Sequence, residues 1–319
     1  MIYKLKKISG DASFREFYRL QRANKTSIIV KSKKDHFTNL ILYCAINEIL
    51  NRNKILAPKL LNQFFEENMI EISDFGKISY FDLAKKRKNL YNLYKPLIFL
   101  IIKLQNIKIN KSFIYRKKKI TIQKYNLNIL HKESDLFFDW YLPLLFNKKK
   151  TSDIKKSTKK ILSNLYNRLN FSNSCIVHRD YHAENLMRVG KKIGVIDSQD
   201  IIIGNPAYDL VSLIDDVRIK NSSKLKKKIY SFYLKKNIKI NRKDSNKFLE
   251  DFNILSVQRS LKIIGIFSRL WKRDGKKKYL KFIPYTWQIL EMRMKSKNFR
   301  ALRKILNKNI SKKRRKRFT

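Results

Sequence analysis

His178, Arg179, Asp180, Tyr181, His182, Ala183, Glu184 and Asn185 stand together, and Asp197 follows twelve residues after Asn185. The apolar triplet Cys175-Ile176-Val177 runs into the first group, and residues 193–196, also mostly apolar, run into Asp197. Both carboxylates therefore sit at the ends of short strands, where neighbouring loop ends can converge. Transfer of a phosphoryl group to a hydroxyl needs a carboxylate to orient and deprotonate the attacking oxygen. It also needs hard oxygen ligands for the Mg²⁺ that bridges the phosphates. Asp180 is expected to be that base, with the Asn185 side-chain carbonyl and Asp197 as metal ligands.

Upstream, residues 9–15 read Ser-Gly-Asp-Ala-Ser-Phe-Arg, a turn between two strands. Gly10, Ala12 and Ser13 are small enough for their main-chain N–H groups to cover a phosphate. Lys31 closes the β-branched run 27–31 and is the expected phosphate-binding cation, with Glu48 on the following helix as its partner.

The elements that must position these groups are readable from periodicity. Residues 2–7, 17–20 and 27–31 read as strands, and 63–65 with 69–72 as a hairpin. Residues 39–53 carry Leu40, Tyr43, Cys44, Ile46, Ile49 and Leu50 at a helical period. From residue 82 onward the pattern is mostly helical, with 90–104 and 136–146 rich in Leu, Phe and Tyr. It is interrupted by the strand–loop–strand segment that bears Asp180 and Asp197.

The chain has 319 residues, 43% of them hydrophobic, enough for one large domain or two lobes. It carries 74 Lys and Arg against 25 Asp and Glu, a net charge of +49. Such a balance can mark a nucleic-acid partner. Here the basic runs, such as 116–119 and 226–228, are scattered, and Ile and Asn are abundant alongside Lys. This is the signature of AT-rich coding, and no specific nucleic-acid partner is expected. The longest apolar run, residues 97–102, is far below the roughly 18 residues of a membrane span, and no secretory leader is visible. Cys44 and Cys175 match no metal spacing and are expected to be reduced, in a cytoplasmic protein.

At these residues the chain resembles the aminoglycoside phosphotransferase/choline kinase superfamily. Within it, the closest look is to the bacterial N-acetylmuramate/N-acetylglucosamine anomeric kinases of cell-wall recycling. The resemblance runs through residues 9–15, Ser73-Asp74-Phe75-Gly76, Trp140-Tyr141-Leu142, the loop 178–185, Asp197-Ser198-Gln199-Asp200, Tyr208-Asp209-Leu210, residues 257–269 and Arg273-Asp274-Gly275. Members usually read Asp-Phe-Gln-Asp where this chain has Ser198. Asp209 follows Asp197 within twelve residues, with no Ala-Pro-Glu between, so there is no room for the peptide platform of a protein kinase.

The resemblance implies an α+β fold of two protein-kinase-like lobes, ATP, Mg²⁺ and a small sugar substrate. The expected divisions are an N-lobe at 1–73, a hinge at 74–76, a helical C-lobe at 77–308 and a solvated basic tail at 309–319, in a monomer. Glu71 and Ser73 are expected at the adenine, over an apolar slot of Ile8, Ile29 and Ile72. His178, Arg179 and Asp209 are expected to support the catalytic loop. Gln258, Arg259, Lys262, Arg269 and Asp274 are the acceptor-binding candidates, the cations suiting the carboxylate of an acidic sugar. Other acceptors of the same fold (an aminoglycoside, choline, homoserine) and a basic nucleic-acid binder with an incidental kinase fold are the rival readings.

Overall fold

Side chains along residues 28–32 alternate between buried and more open positions, the mark of a strand with one face on a core. The computed structural model describes residues 3–8, 15–23, 25–33, 37–87, 89–108 and 110–318. The chain folds as two units. The first comprises Met1–Gln123 and Cys175–Ile203, the second Lys124–Ser174 and Gly204–Thr319.

The first unit opens with β1 (Tyr3–Ile8), β2 (Arg15–Arg22), β3 (Lys25–Ser32), α1 (Phe37–Arg52), β4 (Leu60–Phe64) and β5 (Met69–Ser73). The strands form one antiparallel sheet in the order β1-β2-β3-β5-β4. Ile28 and Val30 on β3, with Ile70 and Ile72 on β5, pack against Leu40, Tyr43 and Cys44 of α1. Ile72 lies opposite Ile28, whereas Ile29 lies opposite Glu71, so Ile29 is on the other face from Ile72 and the expected slot of Ile8, Ile29 and Ile72 does not share a face. Cys44 and Cys175 are both buried and neither is in a disulfide.

The same unit continues through α2 (Tyr80–Lys86), α3 (Leu90–Gln105), β6 (Ser112–Tyr115) and β7 (Lys118–Thr121). Ser79 and Asp82 close a reciprocal capping box at the start of α2. The β6–β7 hairpin was not expected. Its turn is Arg116-Lys117, with φ of 47° and 62°, a backbone that normally selects Gly or Asn. Without those residues the segment reads as nothing more than a basic run. Then come β8 (Cys175–Val177), β9 (Leu186–Val189), β10 (Lys192–Val195) and β11 (Ile202–Gly204); β9 pairs with β10, and β8 with β11.

The second unit holds α4 (Leu127–Leu136), α5 (Lys148–Tyr166), α6 (Ala207–Ile214), α7 (Ser223–Lys236), α8 (Ser245–Asp274), α9 (Ile283–Arg293), α10 (Arg300–Asn309) and α11 (Lys312–Arg315). The expected helix 136–146 is instead a π-helical turn at Phe137–Tyr141 followed by a 3₁₀ turn that contains Pro143. α8 is the central helix. Every residue from Ser256 to Gly265 is buried, so polar and apolar side chains alike face protein. The tail was expected to be solvated, yet Lys312–Arg315 is helical and Arg315 is only 4% exposed. Its guanidinium lies 4.8 Å over the Trp287 ring and pairs with Glu291 at 2.5 Å. Among the described residues no helix is long and apolar enough to cross a membrane.

Candidate active site

The loop after β8 is pinned on both sides of Asp180. His178 Nε2 donates to the Ile196 carbonyl at 3.0 Å, and the buried Tyr181 hydroxyl donates to the Leu97 carbonyl at 2.9 Å. Arg179 has a left-handed backbone, φ 71°, which costs a non-glycine residue about 1–2 kcal/mol. The flanking tethers hold it there, and its guanidinium donates to the Asp200 carbonyl at 3.4 Å. Asp180 itself is half-buried.

Asn185 joins the two halves of the site. Its side-chain Nδ2 donates to the Asp180 main-chain carbonyl at 3.0 Å, and its own carbonyl accepts from the Ile196 N–H at 3.1 Å. The first bond fixes the carboxamide so that Oδ1, the oxygen expected to bind a cation, is turned away from that carbonyl. Ile196 precedes Asp197, so Asp180, Asn185 and Asp197 are brought into one cluster.

Asp197 also has a left-handed backbone, φ 63°. Arg15 Nη2 approaches its Oδ1 at 3.3 Å, and Gln199 Nε2 donates to the same oxygen at 2.9 Å. Burial pushes the Asp197 carboxyl above the usual carboxylate range, although 40% of its side-chain surface is still open to solvent. Arg15 and Gln199 pull the other way, and the neighbouring charge of Asp180 adds to the rise. Next to it, Ser198 is fully buried and its hydroxyl donates to Asn47 Oδ1 on α1 at 2.5 Å.

The other expected site residues divide. Gly10, Ala12 and Ser13 lie outside the described residues. Lys31 is exposed, and it alternates with Val30, which faces α1. It therefore points away from the helix that bears Glu48, and Glu48 pairs with Arg52 instead. Glu71 lies inside the sheet with β3 on one side and β4 on the other, and its buried carboxylate accepts from Ser27 at 2.5 Å, Arg22 at 2.7 Å and Asn62 at 2.8 Å. Burial opposes its ionisation, but these bonds hold its carboxyl below the usual range. The Ser73 N–H donates to the Lys59 carbonyl at 2.9 Å. The sheet thus occupies the Ser73 N–H and encloses Glu71, groups expected to be available to adenine. Asp209 is buried in the first turn of α6, in the second unit.

The acceptor candidates require a correction. Gln258 and Lys262 are buried on α8, and both bind Glu133 at 2.8 Å. Tyr125 and Tyr208 donate to the same carboxylate at 2.8 Å and 3.3 Å. The partner that neutralises Lys262 comes from α4, 129 residues away, so a helical pattern alone could not reveal it. Arg259 is 4% exposed and Arg269 half-buried, while Asp274 pairs with Arg273 at the exposed end of α8. These residues do not form a cationic face.

Arg15, Tyr43 and Asn47 are the residues that sequence reasoning missed. The available signal was strand parity. Arg15 lies opposite Ser32, on the same face as Val30 and hence on the α1 side.

The model of a phosphotransferase enzyme family matches residues 4–234. An N-acetylmuramate/N-acetylglucosamine kinase of Pseudomonas aeruginosa is 28% identical, over 89% of this chain and 81% of the relative. Its counterpart in Pseudomonas putida is 26% identical, over 86% and 79%. In structure, a spectinomycin phosphotransferase determined with ADP and spectinomycin superposes with a TM-score of 0.64 at 13% identity, covering 92% of this chain and 93% of the other.

Proposed function

Because the chain belongs to this phosphotransferase enzyme family, we propose that it is an ATP- and Mg²⁺-dependent small-molecule kinase that phosphorylates the anomeric hydroxyl of N-acetylmuramate and N-acetylglucosamine. The observation that carries the kinase reading is Asn185, bonded at once to the Asp180 carbonyl and to the N–H that precedes Asp197. One contact set ties the expected base to both expected metal ligands. The nucleotide is supported by the ADP in the spectinomycin phosphotransferase of the same fold. The sugar is supported by the names of the two Pseudomonas relatives.

The residues fit a magnesium ion. Asn185 Oδ1 and Asp197 Oδ2 are hard oxygens, and two protein ligands suffice where phosphates and water complete the shell. When bound, the ion neutralises charge on the phosphates. Asp180 orients the acceptor hydroxyl and takes its proton as the new O–P bond forms and the bond from the γ-phosphorus to the β,γ-bridging oxygen breaks, leaving ADP and the sugar 1-phosphate. His178 and Arg179 hold the loop that carries Asp180, and the 74–76 segment is the proposed hinge. Arg19 clamps that segment, binding Asp74 at 2.6 and 3.0 Å and the Gly76 carbonyl at 2.8 Å.

The test is a radiolabelled-ATP assay with both amino sugars, choline, homoserine and an aminoglycoside, on wild type and Asp180→Ala. The reading requires both amino sugars to be labelled at the anomeric position by wild type and turnover to fall by about 10²–10⁴-fold or more in the variant. Labelling of choline or an aminoglycoside in their place overturns the acceptor and leaves the kinase. Full activity in Asp180→Ala overturns the site.

A further inference from the structure

The lysine on β3 that was expected to meet the phosphates faces the wrong way. Lys31 is exposed and alternates with the residues that meet α1, and Glu48, its expected partner, is bonded to Arg52. Arg15 lies one strand over, on the face that Lys31 lacks. Its side chain is only 3% exposed, and its guanidinium sits 5.5 Å over the Tyr43 ring and 5.9 Å from the Phe17 ring. A buried guanidinium that contacts two aromatic rings loses little further freedom when it binds a carboxylate. That carboxylate is Asp197, 182 residues away in sequence, at 3.3 Å.

The target also needs holding. Asp197 has φ 63°, a conformation that an L-residue keeps only where its surroundings impose it. Arg15 and Gln199 both engage Oδ1. The adjacent Ser198 is tied to Asn47 of α1, one helical turn after Tyr43. Two bridges, Tyr43–Arg15–Asp197 and Asn47–Ser198, thus fasten the loop to α1.

Resting on the kinase reading above, we propose that Arg15 is the positioning residue for Asp197, orienting its Oδ2 toward the metal, and that Lys31 has no part in the site. Partners of this kind, bonded to a metal ligand rather than to the metal, alter metal affinity or activity by about 10–100-fold when removed.

The experiment compares wild type, Arg15→Met, Arg15→Lys and Lys31→Met. Mg²⁺-dependent ATP binding is followed by calorimetry, and kcat and the apparent Mg²⁺ affinity by assay. Amide exchange across residues 196–200 is measured in metal-free protein. Arg15→Met should weaken the apparent Mg²⁺ affinity about 10–100-fold and speed exchange at 196–200. Arg15→Lys should restore part of both, and Lys31→Met should match wild type. If Arg15→Met does not fold, Arg15→Lys carries the test and must still show weakened Mg²⁺ affinity at wild-type melting temperature. Unchanged Mg²⁺ dependence in both Arg15 variants, or higher activity than wild type, overturns the inference; the latter would mark the ion pair as a block. A wild type whose ATP binding ignores Mg²⁺ overturns the metal reading, whereas unchanged exchange at 196–200 in Arg15→Met overturns the positioning role alone.

Discussion

The Ser198 hydroxyl donates to Asn47 Oδ1 at 2.5 Å, a bond within the first unit between residues 151 apart in sequence. Both residues are buried, so neither can exchange its partner for water. Ser198→Ala leaves the Asn47 oxygen without this donor, a loss of about 1–3 kcal/mol. Denaturant unfolding should show that loss as a lower midpoint at unchanged slope. Adding Asn47→Leu should recover part of it, because removing both polar partners is cheaper than stranding one. A double variant as unstable as the two losses summed would mean that the pair is not coupled.

The two proposed metal ligands should separate by charge. Asp197→Ala removes a carboxylate, and Asn185→Ala removes a neutral carbonyl whose amide also secures the Asp180 main chain. Mg²⁺ titration of ATP binding should therefore show the larger loss in Asp197→Ala. Asn185→Ala should add a fall in kcat at saturating Mg²⁺, since the base loses a tether. Equal and unperturbed Mg²⁺ affinities would put the metal elsewhere.

Asp215 sets an acid limit on the second unit. It is buried between Lys226 at 2.7 Å and Arg293 at 2.9 and 3.0 Å, and it accepts from Ser256 at 2.7 Å. Burial alone would raise its pKa, but the two cations outweigh it and hold the carboxyl well below the usual carboxylate range. A depressed folded-state value means that the stabilisation is complete above the unfolded pKa of about 3.9 and is lost as pH falls toward the folded one. Melting temperature should decline from about pH 5 downward, and this component should vanish in Asp215→Asn. At pH 7 that variant should lose about 3–5 kcal/mol, because the buried Lys226 and the half-buried Arg293 lose the charge they share. A variant with the wild-type pH profile would contradict this account.

Gly265 marks the closest approach of α8 to the π-helical turn. A Cβ there would lie 2.2 Å from the Leu136 carbonyl carbon, 2.4 Å from its oxygen and 2.5 Å from the Phe137 nitrogen. All three are main-chain atoms, so no side chain can swing aside. Gly265→Ala should gain the usual helix-propensity advantage of alanine, about 1 kcal/mol, and still be destabilised by overpacking of about 1–3 kcal/mol or more. A thermal melt at or above wild type would show that the helices can separate without cost.

What could be read in advance followed from how local the signal was. The short strands that flank the loop 178–185 and Asp197 were legible because they are apolar runs. Helix α1 was legible from its period. Arg15 was not, because its face relative to α1 depends on the register of β2 on β3, and the buried Arg15 is directly followed by the exposed Glu16. Lys262 misled for a related reason. Its partner Glu133 is distant in sequence, and a cation that is paired inside the protein has the same local pattern as one in water.

The tail is the remaining case in which charge disguised packing. Six cations crowd residues 311–319, and such a run normally solvates. Here Ser311 caps α11, and Arg315 donates to the Leu306 carbonyl at 3.2 Å and Asn307 Oδ1 at 2.7 Å in addition to its Glu291 pair. Phe318 then packs against Trp271 at 5.8 Å and Tyr141 at 6.4 Å between ring centroids. Truncation after Ser311 should therefore uncover Trp287 and Trp271, lower the melting temperature and strengthen the response of tryptophan fluorescence to a quencher. Arg315→Ala alone should reproduce much of the loss, since it strands the buried side of Glu291 and empties the place over Trp287. A truncated protein with wild-type melting and unaltered quenching would show that the tail only rests on the surface.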